Sequence, residues 1–597
     1  MPARKTPIKY TSREFDSIKN DLIEHAKRYY PDTFKDFNEA SFGALMLDTV
    51  AYIGDILSFY LDYQVNESYL DSAIEYDNVI RLARQMGYKF KANPSSFGTV
   101  AIYVIVPAST SGLGPDTAYL PMLKKGTQLS STSGNTFMLD EEVRFDDPSN
   151  EIVAARTDST TGLPTHYAVR SYGRIVSGIF NVESVSIGSF ERFRRIKLDS
   201  NNISEVVSVI DSEGNEYLEV EHLSQNTVYK EVVNKDDNKE TVPSLLRPLI
   251  VPRRFVVERE QNNIFLQFGY GGPAEIRTPS VAEPKNVVLQ LNGRSYITDK
   301  SFDPYRLLNT DKFGIAPANT TLTVTYRTNT AANVNAAAGS VTKVVNPLVE
   351  FADRASLSDA KVNEVISSFE SFNEEPIVGD TRLPTSEEIK RRTIDFFATQ
   401  NRAVTQLDYE ALVYSMPERF GSVKRCKIIR DPDSLRRNLN LYLVSENSRG
   451  KLTTTNTTIK ENVKTWLSRS KMISDTIDIL DAKIVNIGVE FEVVADEESN
   501  KFQVLSDCNQ AVRDVFAITP YIGEPLYITD IYSALNKVKG VVDAKRVNIT
   551  RKLGARYSTT RFNIDEATSA DGRYISIPKN VIAEIKFPDT DIKGAIS

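Results

Sequence analysis

The chain is poor in the residues that perform chemistry. Among 597 residues it has two cysteines, three histidines and one tryptophan. Cys426 and Cys508 are too few to make a disulfide framework at this length. Reducing conditions would keep them as thiols, read here as two ordinary half-buried cysteines. His25, His166 and His222 are scattered and neither cysteine has a partner at ligand spacing, so no metal site is expected. The same scarcity argues against Ser-His-Asp or Cys-His catalysis, because a base must reach its nucleophile by a hydrogen bond. Carboxylate pairs carry no specific signal when 79 acidic residues are available. The basic stretch Met1 to Lys9 lacks the apolar core of a signal peptide, and no run approaches about 18 uncharged apolar residues. A soluble protein made in a cytoplasm, with no membrane partner, is the expectation. Net charge is −7 with no concentrated basic surface, so a nucleic-acid partner is not expected either.

What the chain does have is globular material. The apolar share is 41% and the charged share 25%, enough for sizeable cores, and the length calls for several folding units. There is no fixed-period repeat and no low-complexity tract.

The first ninety or so residues read as helices. Thr11 with Glu14 forms a capping-box pattern, after which Phe15, Ile18, Leu22, Ala26 and Tyr29 share one face. A second helix begins near Asn38 or Ser41. In it Thr49, Ile53, Ile56, Tyr60 and Tyr63 recur at alternating spacings of four and three, as in a coiled-coil seam. A parallel row of Phe42, Leu45, Met46, Val50 and Leu57 widens the stripe beyond what one neighbouring helix covers. The third helix, capped by Ser72 with Glu75, carries Ala73, Val79, Ile80, Ala83 and Met86 and stops at Gly87. The region is short for a self-sufficient domain, so these helices need a surface from elsewhere, which partner helices would supply.

From Phe97 to about Val345 the period becomes two. Strands are expected at Thr99 to Val106, Val206 to Ile210, Tyr217 to Val220, Asn263 to Phe268, Val287 to Leu291 and Thr321 to Tyr326. Turns are expected at Glu213-Gly214-Asn215 and Asn292-Gly293. Beyond Asp353 helices (Thr385 to Thr399, Thr405 to Ser415, Thr457 to Ser468, Val504 to Phe516, Thr529 to Val538) mix with strands (Ser422 to Ile429, Leu439 to Val444, Lys483 to Val494, Val541 to Thr550). The tail adds short strands at Tyr574 to Ile577 and Val581 to Ile585. The fold class is therefore α+β multidomain: an N-terminal helical bundle segment (1–93), a β-rich middle (94–350), an α+β domain (351–480) and a C-terminal α+β domain (481–597).

Two motifs have plainer readings than their first appearance suggests. Gly269-Tyr-Gly271-Gly-Pro-Ala274 loosely matches a dinucleotide fingerprint, but Glu275-Ile-Arg-Thr-Pro279 is a poor helix start, so a glycine-rich turn is read and no cofactor. Phe190-Glu-Arg-Phe-Arg-Arg-Ile-Lys197 interleaves aromatics and bases as single-strand platforms do. As a strand it would split its charges between two faces, which suits a guarded edge strand and is compatible with docking onto an acidic partner.

Asn38-Glu-Ala-Ser-Phe-Gly-Ala-Leu-Met-Leu-Asp48, Val50-Ala-Tyr-Ile-Gly-Asp55, Asn66-Glu-Ser-Tyr-Leu-Asp-Ser-Ala73 and Arg81-Leu-Ala-Arg-Gln-Met-Gly87 resemble, in order and spacing, the opening of the inner baseplate wedge proteins of contractile-tailed phages, in the baseplate J-like family. The resemblance continues through Phe268-Gly-Tyr-Gly271, Val324-Thr-Tyr-Arg327 with Asn333, and Arg402-Ala-Val-Thr-Gln-Leu-Asp-Tyr-Glu410. It ends with Tyr521-Ile-Gly-Glu-Pro-Leu526, Ile531 to Val541 and Asp591-Ile-Lys-Gly594, and so spans nearly the whole chain. Tyr270 stands where the family's glycine turn usually has an acid, and a long insertion separates Gly272 from Phe313. The resemblance implies a non-enzymatic structural subunit of the virion tail baseplate that pairs with a second copy of itself. Its amino-terminal helices would bundle with a helix of a larger wedge protein, and other wedge, clamp and sheath-initiating proteins would be neighbours in a ring that holds and then releases sheath contraction. On that reading the bundle interface is Phe42, Leu45, Met46, Val50, Ile53, Ile56, Leu57, Tyr60 and Tyr63, with Tyr521, Glu524, Tyr527 and Asp530 near a C-terminal contact. The rival reading is a virion-associated glycan hydrolase or adhesin built on the β-rich middle.

Overall fold

The computed structural model describes residues 14–29, 41–89, 95–109, 114–200, 202–233, 244–260, 263–272, 313–329, 334–379, 383–417, 420–431, 438–447 and 449–596. The expected Thr11 capping box, the strand Val287 to Leu291, the Asn292-Gly293 turn and the insertion before Phe313 lie outside these residues. The chain forms two compact units, Met1–Phe90 with Pro384–Ala398, and Lys91–Leu383 with Thr399–Ser597.

The first unit is helical: α1 (Phe15–Tyr29), α2 (Phe42–Asn66), α3 (Tyr76–Gln85) and, from much later in the chain, α4 (Ser386–Thr399). Ser41 starts α2 by accepting the Ala44 N–H at 3.1 Å. The expected cap of α3 at Ser72 is not formed, because the Ser72 hydroxyl instead donates to the Asn66 carbonyl at 2.7 Å. Glu67 does the capping: its carboxylate accepts from the N–H of Ile74 (2.8 Å) and Glu75 (3.3 Å) and from Asn78 Nδ2 (2.9 Å). A carboxylate at this end also complements the helix dipole. Gly87, at φ +89, ends α3 as expected.

The second unit opens with a closed ring of six strands. In order these are Phe97–Pro107, Glu370–Phe372, Val341–Asn346, Gln128–Ser131, Thr136–Leu139 and Pro164–Ser177, which pairs back to the first. Val100, Ile102, Val104 and Val106 alternate inward and are fully buried beside Leu129, Phe137 and Val169. The ring thus runs past residue 350, since its Glu370–Phe372 strand follows the helix Asp359–Ser367. At Gly178 (φ +111) the chain passes into Ile179–Ile187, the edge of a second seven-stranded sheet. A Cβ there would lie 2.6 Å from the Thr328 carbonyl oxygen. Arg327, 1% exposed, donates to Ser95 Oγ, the Ser177 carbonyl and Glu205 Oε2, tying the two sheets together.

Two α+β modules follow. One packs helices Gln406–Tyr414 and Thr457–Ser468 on strands Arg425–Arg430, Asn438–Glu446, Leu452–Thr453 and Thr476–Asp481. The other packs Lys501–Val515 and Ile528–Asn536 on strands Lys483–Ala495, Val541–Arg551, Val581–Glu584 and Ile592–Ile596. Cys426 and Cys508 are fully buried, one in each core, rather than half-buried. At the junction Arg425 donates to the carbonyls of Thr519 and Pro520, and Glu584 accepts from the Leu452 N–H (2.9 Å) and Asn486 Nδ2 (3.0 Å).

Burial pushes the Glu584 carboxyl above its ordinary value of 4.5, against the lowering effect of those two hydrogen bonds. A carboxyl whose pKa is raised by folding stabilises the fold fully below its unfolded value, and this contribution is lost as pH rises through the folded one. Denaturation at a series of pH values is therefore expected to show Glu584→Gln gaining on the parent as pH rises above 4.5 and levelling off once the parental carboxyl is ionised. A stability difference independent of pH would remove this role from Glu584.

Candidate functional site

The broadest exposed apolar surface among the described residues is on α2. Its only charged residues, Asp48, Asp55 and Asp62, recur every seven positions, a spacing that keeps them on nearly one line of the helix. With Ala44, Ala51, Gly54 and Ser58 they form the side that faces inward. Ala44 and Ala51 are buried, Ile18 packs on Gly54 with a notional Cβ only 3.3 Å from its Cδ1, and Lys19 pairs with Asp48 at 2.8 Å. α1 therefore covers the small-residue, acidic side of α2.

The opposite side is the predicted stripe, and it is bare. Phe42, Leu45, Met46, Val50, Ile53, Leu57, Tyr60 and Tyr63 are exposed, Ile53 by 51%, and Ile56 is half-buried. Tyr52, Phe59, Leu61 and Val65 are exposed too and were not in the sequence reading. Leu45, Tyr52 and Phe59 stand seven apart, a spacing that would have revealed two of these additions. At 100° per residue the uncharged arc from Phe59 to Leu61 spans roughly 200° of the circumference. One packed helix covers about half of that, so the arc has room for two.

Tyr63 has a second duty. Its hydroxyl donates to Glu75 Oε1 at 3.0 Å, and this hydrogen bond raises its pKa. α4 reaches the far part of the unit. Its segment accepts from the Tyr76 hydroxyl at the Pro384 carbonyl (3.1 Å), Lys390 donates to the Asp71 carbonyl (3.3 Å), and Phe396 meets Tyr88 edge-on at 6.0 Å. Burial raises the phenols of Tyr76, to about 12, and of Tyr88. Part of the surface these helices were expected to need from partners is therefore supplied by the same chain, at α3 and not on the α2 arc.

By length and composition α2 is also apolar enough to cross a membrane, which the sequence count had excluded. Three aspartates on one side weigh against a span, at about 2.5–3.5 kcal/mol for each placed near a bilayer centre.

The C-terminal candidates divide. The Tyr521 ring lies 4.7 Å from the Arg425 guanidinium, and Glu524 Oε2 accepts the Tyr521 N–H at 2.6 Å. These contacts are made within the chain and brace the Tyr521 turn. Tyr527 is exposed beside Tyr574, ring to ring 6.1 Å, and Asp530 is exposed in the first turn of Ile528–Asn536. Glu524 is exposed as well, and Tyr521 is half-buried.

The glycine motif also finds its reason here. A Cβ on Gly269 would lie 2.1 and 2.2 Å from the carbonyl oxygens of Gly314 and Phe313, so backbone-to-backbone approach explains it. In the Phe190 to Lys197 segment only Arg195–Lys197 is strand, at the edge of the second sheet, so the expected alternation of charges does not extend to Arg192 and Arg194. No group of three or more metal-ligating side chains occurs among the described residues.

Residues 14–85, which span α1 to α3, match the family model described as bacteriophage baseplate protein, N-terminal domain. That match supports a structural role in a baseplate. Among solved structures, a chain of the anti-feeding prophage baseplate (cryo-EM, 6-fold symmetrised) aligns over 96% of this chain and 99% of its own, at 9% identity and TM-score 0.26. A chain of the type VI secretion system TssK-TssF-TssG baseplate subcomplex aligns over 72% of this chain and 95% of its own, at 8% identity and TM-score 0.22. Scores this low establish no shared fold. No curated protein matches.

The two sides of α2 should respond differently in the isolated chain. Gly54→Val would push Ile18 away and is expected to cost about 1–3 kcal/mol of α1 packing, seen as faster amide exchange across Phe15–Tyr29. Leu57→Ser, on the bare arc, is expected to change stability by no more than about 0.5 kcal/mol. Equal effects would mean that the arc is covered in solution.

Proposed function

We propose that this chain is a structural subunit of the baseplate wedge of a contractile phage tail, and that it dimerises and bundles with other wedge proteins to form the inner baseplate ring. The observation that carries the reading is the uncharged arc of α2, exposed among the described residues and inside a segment matched to a baseplate N-terminal domain. Water disfavours so wide an apolar surface, and at about 25 cal/mol per Å² its burial is a strong drive to associate. Two helices are proposed to seal it, one from a second copy and one from a larger wedge protein. Clamp and sheath-initiating proteins are proposed as further neighbours, with assembly in the host cytoplasm before incorporation into the virion tail.

Release of sheath contraction would then be an exchange of one set of packed contacts for another of similar free energy. The chain's own part is to hold the ring, and no reaction is assigned to it.

The test replaces Ile53 and Ile56 by Asp. The variant is expected to keep the parent's circular dichroism and unfolding midpoints while failing to assemble with co-expressed wedge proteins. Global unfolding would return the stripe to an internal core. Binding of the wild-type chain to phosphatidylcholine vesicles, lost in the variant, would favour a membrane role for α2 instead.

A further inference from the structure

The second sheet carries an exposed surface that the helical arc does not use. Residues 190–194 turn into the edge strand Arg195–Lys197, and Phe193 sits at φ +51, a conformation that bulky side chains rarely adopt. It is held there from two sides. Its N–H donates to the Gly269 carbonyl at 2.8 Å, and its ring lies 5.5 Å from Tyr270 and 6.0 Å from Phe313. Beside it the Arg192 guanidinium rests over the Tyr270 ring at 4.5 Å. Arg194 is neutralised by Glu191, and Arg195 by Glu258 and Glu260. Among the described residues no carboxylate pairs with Arg192. The strained turn thus presents one uncompensated cation on an aromatic shelf, with Phe190 and Phe193 exposed around it, the residue types that dominate interface hot spots.

A complementary feature stands in the C-terminal module. Asp496, Glu497 and Glu498 are exposed, and none has an ion pair among the described residues. They lead through Asn500 into the helix Lys501–Val515, whose Phe502 is 87% exposed. Three carboxylates against the single ammonium of Lys501, with a protruding ring, have the charge and shape that the Arg192 shelf lacks a partner for.

We propose that the Arg192 shelf of one copy receives the Asp496 to Phe502 turn of a second copy. The two patches differ, so the contact is head-to-tail. Such contacts close into rings or run on as filaments and do not stop at a dimer. The contact goes beyond the helical docking above, because it joins copies of the chain through surfaces other than α2 and needs no larger wedge protein.

The test uses the full chain carrying Ile53→Asp, so that association through the helical arc is already removed. Sedimentation velocity over a concentration series is expected to show residual self-association, weakened about tenfold or more by Arg192→Glu and less by Arg192→Gln. Glu497→Lys with Glu498→Lys should weaken it comparably, and combining these with Arg192→Glu should restore it. A mixture of Phe190→Cys and Phe502→Cys chains should form mixed disulfide dimers on oxidation, with Cys426 and Cys508 buried and silent. A strictly monomeric chain, no response to Arg192→Glu, or a loss that the combined reversal fails to restore would each overturn the contact. Failure of the helical reading shows separately, as an Ile53→Asp change that leaves wild-type association unmoved.

Discussion

The structure depends on an asymmetry within one helix. α2 places all of its charge and most of its small residues on the side that α1 covers, and most of its large apolar side chains on a side that is largely exposed among the described residues. A soluble helix usually does the reverse, hiding its apolar stripe and showing charge to water. The inversion is explained if the chain's own packing is the minor contact and the major one is made elsewhere. An aspartate every seventh residue also sets the orientation: burying the acidic side against another apolar helix would strand three carboxylates, whereas α1 brings Lys19 to one of them.

Much of this was legible in the sequence. The stripe from Phe42 to Tyr63 could be read by spacing, the start of α2 to one of two candidates, Asn38 or Ser41, of which Ser41 is the cap, and the helix Thr457–Ser468 to the residue, because these signals are local: a cap, a period, a stop. The change of period near Phe97 and the mixed pattern after Asp353 gave the fold class. What was missed is what depends on distant partners. Ser72 has the chemistry of a cap, but Glu67 is better placed once the chain bends back, and no linear pattern says so. Glu370–Phe372 is too short to signal a strand and closes the six-stranded ring only because its neighbours are already there. Phe193 broke the strand reading of its segment through a backbone conformation imposed by Gly269 and two aromatic rings.

The second unit shows how a modular chain can be stiff. Buried guanidiniums sit at the seams: Arg327 between the two sheets and Arg425 between the α+β modules, each donating to backbone carbonyls across its seam. Breaking such a contact leaves a buried guanidinium without its acceptors, so the modules resist sliding on one another.

The late return of α4 bears on how the protein is made. The helical unit needs Pro384–Ala398, which leaves the ribosome about 290 residues after Phe90. At roughly 5–20 residues per second that gap lasts on the order of 15–60 s. Throughout it α3 lacks a neighbour, and α2 shows its greasy side to a crowded cell. Nascent chains on one messenger would be close together during that interval, which makes polysomes a place where the pairing proposed above could begin.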